Sequence, residues 1–325
     1  LNKQVEAYTG LAPILSNVGS IENKGLEISL GGKPFTGDKL RWNTSANISF
    51  NRSKVLALLD NAPLAIRTST GGGYQIYGSG CSLKYLQVGQ PVDQMRGYVN
   101  QGTWSEAEKD QARKMGQAPG EAKWKDVNGD GKITRAGDGQ EVIGNASPKF
   151  IYGWNNSISY RDFDLTCLIQ GNYGNQIFNA VRIKTENPSN GLSTNLKNRW
   201  TPASQHTDVP AFISTRERNA MELGSNQTAG IGVDQRSSRW VENGSYLRMK
   251  NITLNYTVPS AMAGKIGASR LAAYVTAINL FTWTKYTGYD PEVSSFNAGG
   301  AGGLGIDLSN YPTARVFMFG VNLTF

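Results

Sequence analysis

Residues 318–325 read Met-Phe-Gly-Val-Asn-Leu-Thr-Phe, a run in which apolar residues alternate with small or polar ones. With Phe317 included, one parity carries Phe317, Phe319, Val321, Leu323 and Phe325. The other carries Met318, Gly320, Asn322 and Thr324. Successive side chains of a β-strand point to opposite faces, so this segment has one unbroken apolar face and one small, polar face. Such a strand fits a wall with lipid on one side and water on the other. A strand of a soluble sandwich has the same pattern.

Recurrence favours the wall. Leu40, Trp42, Thr44, Ala46, Ile48 and Phe50 alternate with Arg41, Asn43, Ser45, Asn47, Ser49 and Asn51. Phe150, Tyr152, Trp154, Ile158 and Tyr160 alternate with Ile151, Gly153, Asn155, Ser157 and Ser159, and Asn156 interrupts the apolar side. Shorter examples are Leu26-Ile28-Leu30, Phe163-Leu165-Cys167-Ile169, Ile252-Leu254-Tyr256 and Ala272-Tyr274-Thr276-Ile278-Leu280. The apolar parity of residues 246–258 changes near Asn251, as a bulge produces. Strands of ~9 to 11 residues suit a tilted bilayer crossing, and an aromatic at the end of the final strand is a recognition signal of bacterial outer-membrane barrels. The Asn-x-Ser/Thr triplets at Asn43, Asn47, Asn155, Asn251, Asn255 and Asn322 then read as polarity on the water-filled side.

Composition agrees. Hydrophobic residues make up 39% of the 325-residue chain, and nothing approaches the ~20 apolar residues of a spanning helix. The 38 glycines, 14 tyrosines and 7 tryptophans suit a β-rich chain with long loops and aromatic girdles. The net charge of +8 comes from scattered Lys and Arg, without a nucleic-acid recognition module. Cys81 and Cys167 make no disulfide framework and are expected to be free thiols, Cys167 on the apolar parity. The single His206 lies in a Thr/Pro/Ser/Gln loop, so a His-based triad or multi-His metal site is not expected.

Connections alternate between short and long. Short ones follow Leu30, Tyr160 and Val258; long ones follow Asn51, Asn100, Tyr173 and Phe281. Outer-membrane barrels join strands by tight periplasmic turns and long outer loops in this way. The pattern predicts about nine or ten strands, including one within residues 52–91 whose register the sequence does not fix.

Four segments resemble one family. Asn17-Val18-Gly19-Ser20-Ile21-Glu22-Asn23-Lys24-Gly25-Leu26-Glu27 is similar to the NVGxIxNKGxE element of SusC/RagA-type TonB-dependent outer-membrane transporters. Lys125-Asp126-Val127-Asn128-Gly129-Asp130-Gly131-Lys132-Ile133, then Ile143-Gly144 and Pro148, resembles that family's D-x-NGDG … IG-xxxP region. Trp240-Val241-Glu242-Asn243-Gly244-Ser245-Tyr246-Leu247-Arg248 resembles its W-V-E-[DN]-G-S-[FY]-L-R strand. Residues 279–292, ending Thr287-Gly288-Tyr289-Asp290-Pro291-Glu292, match its penultimate strand and loop.

The resemblance implies that residues 1–325 are the C-terminal part of an all-β, antiparallel transmembrane β-barrel. That barrel has 22 strands in the large plugged class, with long extracellular loops, and its plug domain and N-terminal strands lie outside this sequence. It also implies non-enzymatic, TonB-dependent import of glycan or peptide oligomers across a Bacteroidota-type cell outer membrane. Expected partners are a SusD-like surface lipoprotein, TonB through the N-terminal part, membrane lipid and an oligosaccharide or peptide substrate, with no nucleic acid. The alternative is a soluble, calcium-stabilised carbohydrate-binding or adhesion module, which would bury the same apolar faces against a second sheet.

One constellation has ligand spacing. Asp126, Asn128 and Asp130 supply oxygens at positions one, three and five of a calcium loop, and Gly131 and the Lys132 carbonyl fill positions six and seven. Position twelve is Gly137, so Asp138 would close the loop one residue late. Ca²⁺ in an extracellular loop is one reading; an ion-free turn whose side chains cap their own backbone is the other. Asp290 and Glu292 suggest a glycosidase carboxylate pair, but without a second acidic cluster they read as a loop start fixed by Pro291. Trp104, Trp124 and Trp200 fit either sugar stacking or loop packing. No substrate-contact or catalytic residue is assigned.

Overall fold

The computed structural model describes residues 2–3, 14–15, 19–66, 83–134, 137–139, 141–187, 193–223, 236–293 and 304–325. Seven long strands form one antiparallel sheet: β1 (Gly19–Thr36), β2 (Leu40–Leu58), β3 (Phe150–Tyr160), β4 (Phe163–Tyr173), β5 (Tyr246–Val258), β6 (Arg270–Thr284) and β7 (Val316–Thr324). They pair in chain order from β1 to β7, a plain meander. Among the described residues the wall has seven strands, where nine or ten were expected for the chain. No further wall strand lies among the described residues of 52–91: β2 continues to Leu58, and Asp60 and Asn61 at φ 55 and 53 then turn the chain away.

Register carries the face assignment across the whole sheet. Phe35, Trp42, Ile158, Leu165, Leu254, Val275 and Phe319 form one row, each directly opposite the next. On the other face Asn43, Ser157, Thr166, Thr253, Thr276 and Met318 do the same. A one-residue slip in any strand would swap its faces, so the apolar row fixes the pairing. The bulge expected near Asn251 is present: Asn251 pairs with Leu168 and Met249 with Ile169, so Lys250 is left over. Cys167 lies opposite Ile252 on the apolar face, and Cys81 falls outside the described residues.

One parity needs correction. In β6 the apolar row is Leu271, Ala273, Val275 and Ala277, opposite Leu323, Val321, Phe319 and Phe317. The Ala272-Tyr274-Thr276 set belongs to the polar face. Tyr274 fits there because it lies opposite Gly320, where an added Cβ would come within 2.4 Å of its ring.

The apolar face has no covering layer among the described residues. Leu30 is 73% exposed, Val321 66% and Phe319 79%. A sandwich would bury these side chains; a bilayer replaces the missing layer with lipid. Aromatic rings mark both borders. Phe163 and Tyr256 meet at 4.7 Å at the end of the short turns, and Phe150 and Tyr173 at 5.1 Å at the opposite end. The 11 residues of β3 extend roughly 34 Å, which projects to about 24–28 Å at barrel tilts and matches the ~25 Å apolar band.

Asn156, the interruption in the apolar pattern, is only 8% exposed. Its Oδ1 accepts hydrogen bonds from Trp42 Nε1 at 3.1 Å and Thr44 Oγ1 at 2.9 Å, and Thr44 Oγ1 accepts one from Trp154 Nε1 at 2.8 Å. A polar group facing lipid must be satisfied within the protein, and the neighbouring strand β2 provides for this one.

Turns at one end are short: residues 37–39, Arg161-Asp162, and residues 259–269 with the single turn Ser260–Ala263. Arg161 adopts φ 52, the sign that a tight two-residue hairpin turn requires. The long connections, residues 59–149, 174–245 and 285–315, all leave the other end. They pack into one loop layer with a shared core: Leu83, Met95, Ile143 and Ala146 come from the first, Phe178, Ala180 and Trp240 from the second, and Ile306 from the third.

Candidate functional site

The functional side chains concentrate where the loop layer meets the polar face of the wall. β5 presents Tyr246 and Arg248 on that face, opposite Asn172 and Gln170 of β4. The chain leaving β6 returns over them at Asp290 and Glu292. Arg248 is 2% exposed and donates to Asp290 Oδ1 at 2.6 Å, Glu292 Oε2 at 2.6 Å, Thr282 Oγ1 at 2.9 Å and Thr313 Oγ1 at 3.0 Å. Tyr246 Oη donates to Glu292 Oε1 at 2.7 Å, and Gln170 Nε2 donates to the same oxygen at 3.0 Å. The two carboxylates therefore form a half-buried, fully bonded clamp around the buried Arg248. Burial opposes the ionisation of Asp290, but the bonds from Thr313, the Glu292 N–H and Arg248 outweigh it and hold its pKa below the ordinary value. Glu292 is lowered in the same way: burial opposes, and the Tyr246 bond with the Arg248 and Lys250 charges prevails. A pair held ionised on one guanidinium has no proton to donate as a glycosidic acid.

A cavity of about 600 Å³ opens beside the clamp, between the helix Ala180–Thr185, the turn Thr194–Asn198 and residues 287–289. Arg182 crosses its floor, bonded to Glu186 at 2.6 Å and Glu242 at 2.9 Å. Arg239 reaches Glu186 at 2.9 Å, and Asn195 Nδ2 donates to it at 3.0 Å. Glu242 also accepts from the Thr287 N–H at 2.8 Å and from Asn179 Nδ2 at 3.1 Å. Tyr286 Oη donates to Asp307 at 2.5 Å, and burial, reinforced by that carboxylate, raises its pKa. Glu242 and Tyr289 were not singled out from the sequence, although both lie inside its motifs.

Asp126, Asn128 and Asp130 share an exposed loop and cap their own backbone. Asp126 accepts from the Gly129 and Gly131 N–H at 2.8 and 2.7 Å, Asn128 from Asp130 at 3.2 Å, and Asp130 from Lys132 at 2.8 Å. Asp138 is fully buried and accepts from the Val127 and Thr134 N–H at 2.7 Å each. Trp104, Trp124 and Trp200 are 1%, 3% and 7% exposed. They pack the loops and leave no face for a sugar ring.

The chain has full-length relatives. It is 29% identical over 98% of its length to TonB-dependent receptor P3 of Formosa agariphila and 31% identical over its whole length to TonB-dependent receptor P26 of the same organism. It is 26% identical over 97% of its length to TonB-dependent receptor SusC of Bacteroides thetaiotaomicron. The chain spans about a third of these relatives, 30%, 31% and 27% respectively. Its fold superposes on the RagAB peptide transporter with a TM-score of 0.71 at 22% identity, covering all of this chain and 32% of that one. No family model matches the chain. The chain belongs to the SusC/RagA-type TonB-dependent receptors.

The receptor-like motifs have structural roles. Gly25 in the first lets β1 approach β2, since an added Cβ would stand 2.7 Å from the Phe50 carbonyl oxygen. The third and fourth lock together: Glu242, Tyr246 and Arg248 hold Thr287, Asp290 and Glu292. The second stiffens a loop. In this SusC/RagA-type segment the motifs fix the frame of the loop layer.

Proposed function

We propose that this chain forms part of an outer-membrane barrel that imports oligomeric nutrients, glycans or peptides, driven through TonB and covered by a SusD-like surface lipoprotein. The observation that carries the reading is the unbroken apolar row across seven strands, on a chain whose relatives are TonB-dependent receptors. Mechanistically the wall is a passive partition: its apolar face meets lipid, and its polar face lines the route. Selection falls to the loop layer and the lid, and no catalytic step is assigned to any residue. Both β1 and β7 have a wall partner on one side only among the described residues. Open edges in lipid leave backbone groups unpaired at several kcal/mol each, so the functional barrel draws further strands from outside this segment.

Ca²⁺ at residues 126–138 remains part of the proposal, as a stiffener of the outer loop. Carboxylate and amide oxygens carry two lone pairs each. The backbone bonds found here leave Asp126, Asn128 and Asp130 the capacity to take the ion, alongside the Lys132 carbonyl and Asp138.

The test is uptake of labelled oligosaccharides and peptides by the native bacterium, with and without TonB, and mass spectrometry of chains co-purifying with the tagged receptor. TonB-dependent uptake lost on deleting the receptor, together with a co-purifying surface lipoprotein, is the expected result. Uptake unchanged without the receptor or without TonB would overturn the proposal.

A further inference from the structure

The apolar face of β1 and β2 gives way to charge at the end where the long connections leave. On that face the Leu26–Phe50 pair is followed by Lys24 opposite Arg52, and then by Glu22 opposite Lys54. Lys24, Arg52 and Lys54 are all exposed. Phe50 belongs to the aromatic border: its ring lies 5.8 Å from Phe150, which lies 5.1 Å from Tyr173. Two residues of antiparallel strand rise about 7 Å, or roughly 5–6 Å along the membrane normal at barrel tilts. The Lys24–Arg52 pair therefore stands at headgroup depth, because headgroups add ~5–8 Å to each side of the hydrocarbon.

The charges are not balanced within the sheet. Like charges directly opposite each other destabilise a strand pair, and Lys24 faces Arg52 in that way. Glu22 bonds Lys24 at 2.7 Å, whereas Arg52 and Lys54 have no carboxylate partner among the described residues. The other face of the same stretch is covered. Val55 is buried with Leu58 and Leu86, and Ser53 Oγ accepts from the Val92 N–H at 3.4 Å. The packing that seats the loop layer on the inner face thus leaves the cations on the outer one.

We propose that Lys24, Arg52 and Lys54 form a binding site for the phosphate groups of an outer-leaflet lipid whose acyl chains lie along the apolar row beside them. Long connections mark this end of the wall as the outer one. Arg and Lys both take phosphate, Arg through two parallel N–H donors. Continuity of the cations with Leu26, Ile28 and Leu30 on one face selects a lipid over a soluble anion, since a lipid covers both surfaces at once. A bound phosphate also replaces the Lys24–Arg52 repulsion with a shared counter-charge. The site rests on the wall facing lipid and is independent of what is imported.

The test titrates the full-length receptor in detergent with three probes, read by native mass spectrometry: lipid A carrying its phosphates, the same lipid dephosphorylated, and inorganic phosphate. Phosphorylated lipid A should bind at least about tenfold more tightly than either of the others. A cation near an anionic lipid surface contributes about fivefold. Arg52→Gln combined with Lys54→Gln should therefore weaken binding about thirtyfold, with the fold intact by circular dichroism. Glu22→Gln should tighten binding about fivefold, the same charge step in reverse. Lys39→Gln with Lys265→Gln, at the short-turn end, should leave it within about twofold. Equal binding of the two lipids, inorganic phosphate bound as tightly as the lipid, indifference to the Arg52 and Lys54 changes, or weakening by Glu22→Gln would overturn the proposal. Uptake in cells separates the two readings. Phosphate-independent lipid binding by a receptor that still imports through TonB refutes this site alone, whereas phosphate-dependent binding without TonB-dependent import refutes the importer alone.

Discussion

Arg248→Met tests the clamp most sharply. The guanidinium is 2% exposed and makes four side-chain bonds, two of them to Asp290 and Glu292 at 2.6 Å. Removing it leaves two carboxylates on a largely buried surface with Lys250, at 3.4 Å from Glu292, as the remaining cation. Breaking a buried pair from one side costs about 3–5 kcal/mol. That energy belongs to the attachment of residues 285–315 to the wall, so local opening should become roughly a hundredfold to a few thousandfold more frequent. Trypsin cleavage at Lys285 or Arg315 of the full-length receptor in detergent reads this opening, because cleavage follows the open population when reclosing is fast.

The pH dependence supplies an independent sign. Both carboxylates are held below their ordinary pKa values in the wild type, so their contribution is present at neutral pH and is lost as the pH falls through those lowered values. In Arg248→Met, burial without the guanidinium pushes the same groups up. Acidification should then protonate them at a higher pH than in the wild type and slow opening in the variant relative to the wild type, with cleavage normalised to an unstructured substrate because trypsin itself slows in acid. Adding Asp290→Asn and Glu292→Gln to Arg248→Met should recover most of the resistance at pH 7. Equal cleavage of wild type and Arg248→Met, or a variant that is cleaved faster in acid, would refute the clamp.

Two further outcomes follow from the wall and the second motif. Asn156→Ala removes the acceptor shared by Trp42 and Thr44 and should destabilise the barrel by about 1–3 kcal/mol; a urea midpoint in lipid vesicles equal to the wild type would refute the polar node. In the loop of residues 126–138, Asp138→Ala should increase proteolytic nicking with or without Ca²⁺, since Asp138 holds two backbone N–H groups. A chelator should increase nicking only if the ion is bound, and indifference to it would leave an ion-free turn, whereas Asp130→Ala also removes the acceptor of the Lys132 N–H and should increase nicking either way.

The wall was legible because each strand has to present one face to lipid. That requirement writes a long alternation into β2, β3 and β7, with mostly apolar residues on one side and mostly polar or small ones on the other, broken in β3 by Asn156. It failed in β6 for a physical reason. The lipid-facing residues there include Ala273 and Ala277, which are small, while the polar face carries Tyr274, accommodated over Gly320. Side-chain size outweighed parity, and the bulge that leaves Lys250 unpaired in β5 shifted the rest of the pattern. The loop layer was not legible, because Met95, Ile143, Phe178, Trp240 and Ile306 share a core without sharing any period. The cavity depends on the same long-range packing. Glu242 and Thr287 stand in contiguous motifs, but only the pairing of β5 with β6 brings them within 2.8 Å.

Strand number and chain length agree on what fraction of a receptor this segment represents. Seven strands of the ~22 in the plugged transporter class are about a third of the circumference. The chain covers 31% of receptor P26 and 32% of the RagAB chain. A closed seven-stranded barrel would need β1 and β7 to pair with each other, and they lie at opposite edges of the sheet. Closure on itself would also wind the wall so tightly that the polar row from Asn43 to Met318 filled its own lumen, leaving no route for an oligomer. The three connections of the loop layer pack side by side over the clamp and build one core, an arrangement suited to roofing an arc of a wide barrel. The clamp anchors residues 285–293 to the wall, with Arg248 of β5 holding Asp290 and Glu292, and so ties the third connection of the loop layer to the sheet.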